Sequence, residues 1–163
     1  MSAQTTYKFD TVRGCAGGIY DLAPYEINTY INSAADNVML FGIGVTTYVD
    51  SDTVAHPGAI MKPSATSQKF LGVTVNNRTR ENDRNGDLEI LNKTAIGVMR
   101  WGRVYVRVKT GKEPKFGDAA YVVYSGAEAG FFSPTSTDGD AVPAIFGSEV
   151  DTNGVAMLIL KNA

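Results

Sequence analysis

Cys15 and His56 are the single cysteine and the single histidine of the chain, so any thiolate–imidazole nucleophile pair would have to be built from these two. Neither has the surroundings such a pair needs. Cys15 lies in Gly14-Cys15-Ala16-Gly17-Gly18 without a nucleophile elbow, and His56 precedes Pro57 in a turn-like context. Cys15 therefore reads as a small apolar filler and His56 as an exposed turn residue. The same glycines lack the GxxxxGK[ST] pattern and the strand-loop-helix frame of a phosphate loop, and read as a tight bend. The run Glu81-Asn82-Asp83-Arg84-Asn85-Gly86-Asp87 offers oxygens at alternate positions and a glycine at the sixth, like a calcium loop. It begins on Glu81, reaches Asn92 where a bidentate glutamate is needed, and has no helical flank, so it reads as a solvated hairpin loop. Asp50-Ser51-Asp52 and Asp138-Gly139-Asp140 read as acidic turns whose carboxylates bond the local backbone. No catalytic residue, metal site or cofactor is expected, and the chain is read as a non-enzyme.

A second kind of chemistry is binding. Arg103, Tyr105, Arg107 and Lys109 put cations and an aromatic on one strand face, while Val104, Val106 and Val108 make the other face dry. Such a stripe could hold single-stranded nucleic acid. A net charge of -2 and the lack of further exposed aromatics on adjacent strands argue against nucleic acid, and the same charge argues against an anionic membrane. The stripe reads instead as a solvated face guarding a sheet edge, or as a contact for an acidic protein surface. Trp101, at the entry to this strand, reads as a core or rim anchor that would be a hot spot at an interface.

The elements that must position these residues are strands. At 163 residues and 44% hydrophobic composition the chain fits one domain with a real core. Its 17 glycines and six prolines are spread along the sequence, the many-turned pattern of an all-β protein. The expected strands are Gly18–Tyr20, Glu26–Ile31, Val38–Tyr48, Ala59–Met61, Phe70–Val75, Leu88–Leu91, Ala95–Met99, Gly102–Lys109, Ala120–Tyr124, Ala144–Ser148 and Val155–Leu160. Pro24–Ala35 is the one place where a short helix could replace a strand. Asn76–Asp87 and Ser133–Pro143 read as surface excursions. Residues 1–13, polar with the isolated aromatics Tyr7 and Phe9, read as an extended N-terminal arm ahead of a domain spanning 14–163. Such an arm either frays or docks its aromatics on a neighbouring subunit. With one cysteine no intrachain disulfide can form. The N-terminus has no basic region followed by an apolar core, and the most apolar run, Val38–Val45, is far short of the roughly 20 residues of a spanning helix; synthesis in a cytoplasm is expected.

Taken end to end, the chain resembles the structural cement proteins of tailed bacteriophages, which decorate the outside of the head. The resemblance rests on Gly14–Asp21 (GCAGGIYD), Phe41–Val45 (FGIGV), Phe70–Val75 (FLGVTV), Trp101–Val108 (WGRVYVRV), Phe116–Val122 (FGDAAYV), Ala144–Phe146 (AIF) and Gly154–Leu160 (GVAMLIL), in this order over nearly the whole length. The family usually has a small or aliphatic residue before the aspartate of the first motif, where this chain has Tyr20. The resemblance implies a single-domain β-barrel or jelly-roll-like sandwich on the outer capsid surface of the virion. It also implies that the major capsid protein is the partner and that the chain forms a homodimer, with a trimer as the alternative. Tyr7, Phe9, Trp101, Arg103 and Arg107 are then the candidate capsid or oligomer contacts. Two competing readings are a ligand- or carbohydrate-binding β-sandwich and a low-copy tail or baseplate component.

Overall fold

In the computed structural model, residues 14–33, 39–64, 68–76 and 90–161 are described. They contain nine strands and no helix: β1 (Glu26–Asn32), β2 (Gly44–Val49), β3 (Ala55–Met61), β4 (Phe70–Thr74), β5 (Ala95–Arg107), β6 (Ala119–Val122), β7 (Phe132–Ser133), β8 (Asp140–Phe146) and β9 (Val155–Leu160). The all-β expectation holds.

The pairing runs β1-β3-β2-β4-β5-β9-β8-β6-β7, and β1 also pairs with β5. The first five strands therefore close a ring in which only the β1–β3 step is parallel. The remaining strands form a second ring on the far half of β5, closed by a bridge between Val108 and Phe132. Closure removes most free strand edges. Each ring surrounds its own apolar core. The first encloses Met39, Phe41, Ile43, Val45, Ile60, Ile90, Ile96 and Val98; the second is built on Val104, Val106, Phe132, Phe146, Ala156 and Leu158.

β5 joins the two. Val98 belongs to the first core and its neighbour Met99 to the second, so the strand changes cores within two residues. Gly102 follows, at φ 127°, a backbone region that L side chains rarely adopt. Ile19 bridges to Val104 and Glu26 pairs with Trp101, so the chain between them passes over Gly102. Two buried polar side chains fix the turns of the first ring. Thr74 Oγ1 donates to Leu40 O at 2.8 Å and accepts from Ile43 N at 3.1 Å; Asn32 Nδ2 donates to Ile90 O at 2.8 Å and to Leu91 O at 3.1 Å.

Several expected boundaries move. Ala95–Met99 and Gly102–Lys109 are one strand, because the Arg100-Trp101-Gly102 step bends β5 without ending it. Val38–Tyr48 is broken: Met39 makes only an isolated bridge to Ile90, Phe41-Gly42 is a turn with Gly42 at φ 72°, and the strand begins at Gly44. Gly18–Tyr20 reduces to the single bridge of Ile19. Pro24–Ala35 holds strand β1, not a helix, over its described residues. Ser133–Pro143 is no surface excursion, since Ser133 is fully buried at the end of β7 and β8 starts at Asp140. Pro143 is tolerated there at an exposed position, its carbonyl accepting from Lys161 N. The loop residues 77–87, the calcium-like run among them, lie outside the described residues, as do Tyr7 and Phe9.

Candidate interaction surface

Arg103, Tyr105 and Arg107 of the basic stripe are on one strand as expected, with Lys109 two residues past its end, but the cations are spoken for. Arg103 pairs with Asp21 through Nη1. Arg107 is half-buried, its Nε donating to Phe41 O at 3.0 Å, and burial lowers its pKa from the ordinary value. Lys109 Nζ stands 2.6 Å from Asp138, which also takes Lys112 Nζ at 2.9 Å and the Ser133 hydroxyl. The hydrogen bonds from Lys109, Ser133 and Lys112, in that order, hold the Asp138 carboxyl far below the usual carboxylate range. Tyr105 packs on Tyr20 with ring centroids 5.6 Å apart, and a Cβ at position 14 would stand 2.4 Å from the Tyr105 ring, which would have to shift.

The stripe is therefore not a solvated face guarding an edge. β5 is an inner strand, flanked by β1, β4 and β9, and its cations clamp distant segments onto it. Trp101 is half-buried against the second core, as a rim anchor should be.

Apolar residues that no core absorbs concentrate elsewhere. Ile19, Tyr20, Leu22 and Tyr25, with exposures of 38%, 46%, 97% and 43%, lie within the segment that passes over Gly102. Asp21, paired with Arg103, falls within the same segment. Ile31 on β1, Val54, Leu91 and Phe116 are also exposed. Sequence reasoning missed these exposed residues because Gly18–Tyr20 reads as a strand, and nothing local marks Leu22 as unburied.

The residues first tested for chemistry give little. Cys15 is exposed and no core filler; its Sγ accepts from Asn76 Nδ2 at 3.5 Å. His56 lies on β3, not in a turn, with Nε2 2.8 Å from Asp50 Oδ2. Asp50 Oδ1 also accepts from the amides of Asp52 and Val54, the local capping expected of an acidic turn. These bonds, the one to His56 foremost, lower the Asp50 pKa. Asp138 departs from that expectation, bonding Lys109 and Lys112, which follow the end of β5, and Ser133 of β7 in place of its own turn. Among the described residues no three His, Cys, Asp or Glu side chains gather where a metal ion could be held, and no helix is long and apolar enough to cross a membrane. A shallow cleft between Tyr48, Met61 and Tyr124 brings no acid–base pair together.

Residues 3–161 match the family described as structural cement protein (E217 gp24/Pam3 gp6). The chain belongs to this family. A chain in the solved structure of the capsid of Myoviridae phage XM1 shares the cement protein's fold, with a TM-score of 0.70 at 18% identity over 99% of this chain and 98% of that one. No curated protein matches. Membership sets the two-ring fold among the structural proteins of phage particles.

Proposed function

We propose that the protein binds the outer surface of a tailed-phage capsid and bridges neighbouring major capsid subunits as a small oligomer, without catalysing a reaction. The observation that carries this reading is the family match across nearly the whole chain. The structure is compatible with it: two closed rings sharing one long strand make a stiff body, and the charges of β5 serve that body. Packaged DNA loads a shell at the joints between its subunits. A protein that binds only the closed joint stabilises it by mass action, and two linked footprints clamp far better than one through effective concentration.

Of the contact candidates, Trp101 lies at the rim of the second core and Arg103 is half of an ion pair and not a free cation. Arg107 holds the frame through Phe41 O. Tyr7 and Phe9 remain contacts proposed for the arm. Heads assembled without the protein should rupture at a lower temperature, and adding the purified chain should restore the lost stability. Heads whose rupture temperature ignores the protein would refute the reading.

A further inference from the structure

The two rings are not closed with equal strength. In the first, the shortest step, β1 to β3, registers Ile31 with Ala59 and Asn32 with Ile60, and Ser33 N adds a bond to Ile60 O. The second closes from β5 to β7 through the single bridge of Val108 to Phe132 and a bond from Lys109 N to Phe132 O at 2.9 Å. Side chains supply the rest of this seam. Asp138, its side chain 11% exposed, takes Lys109 Nζ at 2.6 Å and Lys112 Nζ at 2.9 Å. Lys112 Nζ also reaches Thr135 Oγ1 at 3.3 Å, and Glu128 Oε1 accepts from the amide and the hydroxyl of Thr110.

The segment across the seam, Gly130–Asp138, holds its own shape. Ser133 Oγ donates to Asp138, Thr135 N donates to Ser133 Oγ, and Asp138 N donates to Thr135 O. Both of its ends rest on β6 and the residue after it. At one end Gly130 N donates to Val123 O and Val123 N to Phe131 O; at the other, a Cβ on Gly139 would stand 1.9 Å from Val122 O, so that turn lies directly against the strand. Toward β5 and β2 the segment's backbone bonds are those from Lys109 N to Phe132 O and from Gly44 N to Gly130 O, the latter at 2.7 Å. A closed sheet opens first where few backbone bonds hold it, and here the remaining hold converges on one carboxylate.

We infer that Gly130–Asp138 is a strap, hinged on β6 and latched to the end of β5 by Asp138, that opens as one unit and bares Phe132 while the first ring stays closed. Amide hydrogen exchange of the isolated full chain, followed by NMR and corrected for each residue's intrinsic rate, tests it. Gly44 and Lys109, which donate to the strap from β2 and from the end of β5, should share one opening, at least tenfold more frequent than that of the slowest first-ring amides. Asp138→Asn should raise both at least tenfold, since Lys109 and Lys112 then face each other without a carboxylate between them. Lys112→Met, which keeps the Lys109–Asp138 pair, should raise both several-fold and serves if Asp138→Asn does not fold. Ile60→Val weakens the first core and should speed the slowest amides while leaving Gly44 and Lys109 unchanged. Gly44 and Lys109 amides as slow as the slowest, or accelerated by Ile60→Val, would mean that the seam parts only on complete unfolding and would overturn the inference. Unequal openings at the two residues would remove the common strap, and rates unmoved by the Asp138 and Lys112 variants would remove the latch.

Discussion

The Cβ of Tyr25 stands 2.7 Å from the point where a side chain on residue 102 would begin, and Gly102 is what leaves that space open. The crossing of segment 19–25 over β5 depends on this one missing atom. Gly102→Ala must push Tyr25 away and force an L residue to φ 127°. Overpacking and backbone strain together should cost about 2–4 kcal/mol. The urea midpoint should fall with little change in slope; an unmoved midpoint would mean that the crossing is loosely held.

Thr74→Val keeps the shape of a fully buried side chain but removes the hydroxyl that bonds Leu40 O and Ile43 N. Leaving those groups unsatisfied should destabilise the protein by about 1–3 kcal/mol. The amide of Ile43 should exchange faster with solvent deuterium than in the wild type.

Asp138 gives the fold an acid sensitivity. Its pKa is lowered in the folded state, so the stabilisation is complete above the ordinary carboxylate pKa of about 3.9. It declines as pH falls below that value toward the folded one, because the unfolded chain then binds a proton that the folded chain does not. Asp138→Asn should be less stable than wild type at pH 7, and the difference should shrink as pH is lowered from about 4. A difference that stays constant from pH 7 into the acid range would contradict the assignment.

Arg103 and Asp21 separate a structural pair from a direct contact. Arg103→Glu places two carboxylates together and should weaken retention on heads several-fold, while the exchange Asp21→Arg with Arg103→Glu should restore it. Failure of the double variant to recover would mean that the Arg103 guanidinium itself meets an acidic partner.

Local patterns carried much of the fold. The alternation of Val104, Val106 and Val108 against polar neighbours announced β5 and its dry face, and those three valines are buried. What local pattern does not hold is closure. Nothing near Val108 points to Phe132, and nothing near Arg103 points to Asp21, 82 residues away, so in the sequence a stripe of paired cations reads as a free one. Pro143 and the Asp138-Gly139-Asp140 turn hid the start of β8, because turn residues speak more loudly in a sequence than the strand that follows them. Cys15 differs from its expected place for a related reason: small residues beside glycines suggest burial, but here the glycines bring Tyr105 and Phe41 close while the thiol stays outside.

The central claim is that this chain occupies a head lattice, and its number per particle tests that most directly. Quantitative mass spectrometry of purified virions should find the protein near stoichiometric with the major capsid subunit. A handful of copies per particle, or none, would contradict the account and point to a tail component or to a binding protein outside the virion.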